Sequence, residues 1–315
     1  MRICVVGAGA VGGFVGAKMA RAGHDVVVVA RGAHLQAIRA GGLTIRGPDG
    51  EFRVKVPAEE RADQVGPVDF VVYAVKTYSN HEALPLLNAV AGDHSVVLTL
   101  QNGVDSAVEI EAEIGRGRVL GGAAYIATAL VEPGVIEQTG HHRRIVFGET
   151  AGDVSRVSGR VAMMDTLFRE ADLVSEGVPN AWVPLWEKYI YLAPFAAFTG
   201  AARQPIGPLW SDPYTHKMMV AAFKEVEAVA RAERVRLRRG TIARVIEYVD
   251  SLQPTVRSSL LIDLQQGKPT EVEALLGGVV RRGKARRVKT PIMSTLFAAL
   301  KSHSVAAPRI HNSVL

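Results

Sequence analysis

Three glycines, Gly7, Gly9 and Gly12, stand between the apolar run Ile3–Val6 and a segment of helical spacing, Val11–Ala22. Backbone without a Cβ can bring its N–H groups within reach of a diphosphate, and a helix starting there points the positive end of its dipole at the same place. The Gly-x-Gly-x-x-Gly spacing alone is also ordinary turn chemistry, so its neighbours decide. Gly23 ends the helix, and the β-branched run Asp25–Ala30 follows. Strand, glycine turn, helix and strand thus close within the roughly thirty residues of a βαβ unit. This reads as a dinucleotide site at Gly7, Ala8, Gly9, Ala10, Val11 and Gly12.

The residue after the second strand selects the dinucleotide. An acid there would accept from the adenosine ribose hydroxyls and repel a 2′-phosphate, but the chain has Arg31, whose guanidinium pairs with phosphate and stacks on adenine. The expected cofactor is NADP(H). Lys76 follows the buried strand Asp69–Val75, and Asn102 sits in the turn Gln101-Asn102-Gly103 after the strand Val96–Leu100. At the carboxyl ends of parallel strands both would face the ligand crevice, although each also fits an ordinary loop.

Further on, Lys188 lies in Leu185-Trp186-Glu187-Lys188, and Glu271 lies in Lys268-Pro269-Thr270-Glu271 at a helix start. A buried ammonium could stabilise a developing oxyanion and deliver a proton. By position alone Lys188 fits a solvated helix face at least as well, and Glu271 fits a helix start capped by Thr270. Ser259, in Arg257-Ser258-Ser259, is unremarkable by itself. His141 and His142 fall in a turn, Gly140–Arg144, with no acid or cysteine at metal-ligand spacing, so no metal is expected.

These residues need a scaffold, and the chain supplies two kinds. Up to Gly177 strong strands alternate with helices. The runs Ala123–Leu130, Val135–Gln138 and Ile145–Gly148 suggest a meander at the sheet edge, and Leu173–Ser175 a last short strand. Beyond Gly177-Val178-Pro179 the periodicity is helical throughout, with Pro194 expected to kink or break the helix Trp182–Thr199. The expected fold is therefore α/β: a Rossmann-type doubly wound sheet over 1–177 for the cofactor, then an all-helical domain over 178–315 for substrate and catalysis. The tail Val305–Leu315 reads as loose. The 315 residues are 48% hydrophobic, ample for a core, with no apolar run long enough to span a membrane. One cysteine, Cys4, excludes an internal disulfide and suits the cytoplasm. A net charge of +6 without an aromatic platform argues against nucleic acid as a partner. A homodimer is compatible with the apolar content.

GAGAVGG at the N-terminus, Arg31, AVK ending at Lys76, QNG at Asn102, LWEK at Lys188 and SSLLID followed by PTE fall in an order that resembles the ketopantoate reductase (2-dehydropantoate 2-reductase) family over nearly the whole chain. The resemblance implies NADPH-dependent reduction of a 2-oxo acid to the 2-hydroxy acid in a cleft between two domains. Lys188 would be the proton donor and Glu271 part of the cofactor and substrate site. Lys76 and Asn102 would contact cofactor, Asn102 and Ser259 would face substrate, and Thr128 would lie beside the nicotinamide. The chain departs from the family where asparagines are usual, with Leu192 and Ala196 one and two turns past the lysine, Arg203 and Ile206 near the helix end, and Val256 before the serine pair. Each lost donor to a substrate polar group costs about 1–3 kcal/mol, so the expectation is a 2-oxo acid with a more apolar side chain, its carboxylate held by Arg203. The alternatives are another two-domain hydroxy-acid dehydrogenase, or a catalytically inactive NADP-binding regulator.

Overall fold

The computed structural model describes residues 1–304; the segment 305–315, read above as a loose tail, lies outside the described residues. The chain divides into two compact units, Met1–Leu185 and Trp186–Leu315.

The first unit is a single sheet of ten strands among the described residues: β1 (Arg2–Val6), β2 (Asp25–Val29), β3 (Leu43–Gly47), β4 (Gly50–Val54), β5 (Ala58–Glu59), β6 (Val68–Tyr73), β7 (Ala91–Thr99), β8 (Val119–Glu132), β9 (Val135–Glu149) and β10 (Val174–Asn180). The order across it is β4-β3-β9-β8-β7-β6-β1-β2-β5, with β10 beside β9. From β5 to β8 the strands run parallel. Continuous β-branched runs suit strands covered on both faces. Ile3, Val5, Phe70 and Val72 face α1 (Ala10–Arg21), while Cys4, Val6, Val71 and Tyr73 face the opposite core. That core is closed by α3 (Asn80–Ala83), α4 (Leu87–Val90) and α5 (Ser106–Ile114). A short α2 (Gly32–Gly41) follows β2, and α6 (Gly159–Glu170) packs on the α1 side.

The sheet edge differs from the expected meander. β8 and β9 form one long antiparallel pair, and β10 runs parallel to β9. His141 and His142 lie within β9, not in a turn. The pairing absorbs the irregularity as a bulge, a register shift between Ile126 and Thr128 opposite the positive-φ Gly140.

Among the described residues the second unit is helical, with no strand. Its elements are α7 (Trp182–Ala202, beginning in the last residues of the first unit), α8 (Ile206–Ser211), α9 (Pro213–Ala232), α10 (Thr241–Asp250) and α11 (Ser259–Gln265). A π-helical turn (Glu273–Gly277) then leads into α12 (Gly278–Ala285), and α13 (Pro291–Leu300) follows. α7 runs through Pro194 without breaking. Proline removes one helical hydrogen bond, whereas Ile190, Ala193, Phe195, Ala196 and Ala197 around it are all buried, and that packing holds the helix together.

Candidate active site

In the first unit the glycine turn is shaped by crowding. Gly7 has φ +96°, and a Cβ on Gly12 would sit 2.2 Å from the Gly7 carbonyl oxygen, so neither position takes a side chain without moving the turn. At Gly9 a Cβ would meet nothing within 4 Å. Gly9 is also the N-cap residue of α1, with no side chain spent on the cap. Open space and a helix N-terminus coincide there, which fits the diphosphate of a dinucleotide.

A histidine absent from the sequence reading anchors this turn. The ring of His34, on α2, accepts the Gly134 N–H at Nδ1 (2.9 Å) and donates from Nε2 to the Ala8 carbonyl (2.7 Å). That pattern requires the neutral ring, and burial pulls its pKa below the ordinary 6.5 against the opposing pull of the Ala8 bond. No motif marks His34, since its partners lie 26 and 100 residues away.

Lys76 and Asn102 follow the carboxyl ends of β6 and β7, on either side of a small polar network. The Gln101 side chain donates to the Val75 carbonyl (2.8 Å) and to Asn80 Oδ1 (2.7 Å), while Asn80 donates to Glu109 (2.6 Å). Gln101 thereby ties the Asn102 turn to the Lys76 loop. Arg31 is the N-cap residue of α2, and its Nη1 donates to Glu82 Oε2 at 2.5 Å. Thr128 lies on β8 opposite Gln138, its hydroxyl buried without a hydrogen-bond partner. A cavity of about 550 Å³ lies elsewhere in this unit, lined by Lys18, Arg21, Phe52, Gln138, Arg143 and Asp172. It contains none of the expected site residues.

In the second unit Lys188 sits half-buried on α7, and Glu271 is buried just before the π-helical turn. Burial pulls the Lys188 ammonium down from the ordinary 10.5 to about 8, with the Glu271 carboxylate acting in the opposite sense. The two charges therefore share one environment. The hydroxyl of Tyr189, next to the lysine, lies 2.9 Å from the Ala274 carbonyl and 2.7 Å from that of Leu275, which fastens α7 to the turn that follows Glu271. Thr270 is not the cap expected for that helix, because its hydroxyl is spent on the His303 carbonyl (2.6 Å). Ser258 caps α11, accepting from the Leu261 N–H and sharing a 2.7 Å bond with Thr199 of α7; Ser259 follows it and is exposed. Arg203, just past α7, is exposed with φ +56°. Of the apolar departures, Ala196 and Ile206 are buried, and the Ile206 N–H donates to the Val256 carbonyl (2.9 Å), which makes those two positions neighbours. Among the described residues no group of three His, Cys, Asp or Glu could hold a metal ion, and no helix is long and apolar enough to cross a membrane.

The model of "Ketopantoate reductase PanE/ApbA" matches residues 3–152, and that of its C-terminal part matches residues 181–304. The chain belongs to the ketopantoate reductase family. It is 31% identical to the 2-dehydropantoate 2-reductase of Mesorhizobium japonicum over 97% of this chain and 98% of that one. A crystal structure of 2-dehydropantoate 2-reductase from Geobacter metallireducens superposes with a TM-score of 0.90 at 27% identity, covering 96% of this chain and 99% of the other. D-mandelate dehydrogenase, crystallised with NADH and anilino(oxo)acetate, shares the fold with a TM-score of 0.88 at 20% identity, over 96% of this chain and 98% of its own. Membership makes the protein an oxidoreductase working with a nicotinamide cofactor.

Proposed function

We propose that the protein reduces a 2-oxo acid to the 2-hydroxy acid with NADPH, with residues 1–177 serving the cofactor and 178–315 the substrate. In this reading Gly7, Ala8, Gly9, Ala10, Val11 and Gly12 hold the diphosphate, Arg31 meets the 2′-phosphate, and Lys76, Asn102, Thr128 and Glu271 complete the cofactor's surroundings. The reduced nicotinamide, when bound, supplies the hydride. The chain supplies orientation and charge. The Lys188 ammonium stabilises the oxyanion that forms as the carbonyl is reduced, and its Nζ gives up the proton that makes the hydroxyl. Glu271 keeps that lysine charged, while Asn102 and Ser259 orient the substrate and Arg203 holds its carboxylate.

The observation that carries this reading is the lysine. Burial brings its ammonium from 10.5 to about 8, close enough to neutrality to be both charged and a willing donor, with a buried carboxylate acting on it. The apolar positions Leu192, Ala196, Ile206 and Val256 support a substrate with an apolar side chain, such as a branched or aromatic 2-oxo acid, over 2-dehydropantoate. A single, unpaired cysteine, Cys4, supports a cytoplasmic setting.

Steady-state NADPH oxidation across a panel of 2-oxo acids tests both levels. Turnover on one or more of them is expected, with apolar side chains preferred. A strong preference for 2-dehydropantoate overturns the specificity, and NADPH binding with no turnover on any of them overturns the enzyme reading in favour of a regulator.

A further inference from the structure

The ion pair made by Arg31 points to a residue outside every motif above. In the sheet β1 lies between β2 and β6, so the residues following β2 and β6 flank the glycine turn that follows β1. Arg31 stands on the first flank and Glu82, on α3, on the second. Their bond joins the two flanks across the end of β1, where a dinucleotide on the glycine turn would carry its adenosine ribose. The side chains are 56% and 50% exposed, and one Nη1–Oε2 bond of 2.5 Å is their link. A guanidinium has five N–H donors in a fork, so this single bond leaves donors for a phosphate.

Resting on the reading that Arg31 meets the 2′-phosphate, we propose that Glu82 is a specificity-determining residue that narrows the preference for NADP(H) over NAD(H). An exposed single ion pair is weak, so a 2′-phosphate can share or take the arginine. The carboxylate then remains one guanidinium width from a group of like charge and repels it. While it is paired, the Arg31 hydrogen bond and charge hold Glu82 below the usual carboxylate range. NAD(H) offers neutral ribose hydroxyls at the same place, from which a carboxylate accepts. Glu82 therefore weighs against one cofactor and not the other.

The test is equilibrium titration of the full chain with NADPH and with NADH, followed by nucleotide fluorescence, for the wild type, Glu82→Gln, Glu82→Asp and Arg31→Ala. Glu82→Gln is expected to tighten NADPH about 3–10-fold while leaving NADH unchanged or slightly weaker, an effect that shrinks as salt is added. Glu82→Asp, which keeps the charge, is expected to retain the wild-type NADPH-to-NADH ratio. A residue with only a structural role would move both cofactors together. If Glu82→Gln leaves the ratio unchanged or lowers it while Arg31→Ala abolishes the NADPH advantage, the role of Glu82 is overturned and that of Arg31 stands. If Arg31→Ala keeps the wild-type ratio, the placement of the 2′-phosphate falls, and this proposal with it.

Discussion

The candidate regions of the two units are made from different materials. The glycine turn after β1 works through backbone: amides, a helix N-terminus and the absence of side chains. The region around Lys188 sets a half-buried ammonium under the influence of a buried carboxylate, Glu271. A backbone site tolerates almost any change in its neighbours' side chains but almost none at its glycines. A charge-pair site tolerates changes in backbone composition but depends on each polar atom that fixes the pair. The first kind binds a constant part of the cofactor, and the second leaves room for substrate choice to drift, as the apolar residues at 192, 196, 206 and 256 suggest.

The largest effect is expected where charge does the chemistry. Lys188→Ala should lower kcat by about 10²–10⁴-fold, the usual range for a lost general acid, while NADPH binding measured by titration stays near the wild-type value. Full turnover in this variant would dissolve the contrast and favour a dehydrogenase of another design. In the wild type kcat should fall as pH rises through about 8, where the donor proton is lost. Stability runs the other way. Between about 8 and 10.5 the unfolded chain binds a proton that the folded one does not, so the stability of the wild type rises with pH across that window, a slope that Lys188→Met should lose in melts at a series of pH values.

Next comes Gly12→Ala, whose Cβ would fall 2.2 Å from the Gly7 oxygen. Overpacking of this kind costs about 1–3 kcal/mol, and NADPH affinity should drop at least about tenfold with kcat at saturation less affected. Equal losses in both would show that the two regions are not separable. Tyr189→Phe removes the hydroxyl that holds the turn after Glu271, and it should lower the unfolding free energy by about 0.5–1.5 kcal/mol and kcat with it. A denaturant midpoint unchanged from the wild type would show that the hydroxyl fixes nothing.

The smallest effect is expected at His34. Its folded pKa is lowered, so its contribution to the glycine turn is complete above 6.5 and is lost as pH falls through the lowered value. NADH, which has no 2′-phosphate to titrate, should bind more weakly as pH is lowered from about 7.5 through the His34 transition below 6.5, and His34→Ala should remove that dependence. A pH response that survives in the variant would place its origin elsewhere.

The contiguous elements around the glycine turn were legible in the chain, and the contacts between distant residues were not. β1, the glycines, α1 and β2 occupy the first 29 residues, and each step is announced by local spacing. Lys188 and Glu271 could be singled out as charges at unusual places, but not as one environment, because no local pattern links positions so far apart. Asn80, His34 and Tyr189 carry no signal, and Gln101 shows only its place in the QNG turn, since the contacts that give them their roles reach 21 to 100 residues along the chain. The same limit hid the β8–β9 pair. Gly140 read as a turn because glycine so often makes one, whereas the partner strand turned it into a bulge. Pro194 read as a break for a similar reason, with the packing around α7 invisible at that stage.

The sheet order also has a consequence for how the chain assembles. β3 pairs with its sequence neighbour β4 on one side and with the distant β9 on the other, Thr44 opposite Val135, so the β3–β4 hairpin has no place in the sheet until the chain has been made well past residue 135. Such non-local pairing is slow to form. The N–H of Gly134, the residue before β9, is also the one that His34 accepts while it holds Ala8. The glycine turn is therefore made long before the strand that completes its fastening, so its final shape matures late in folding.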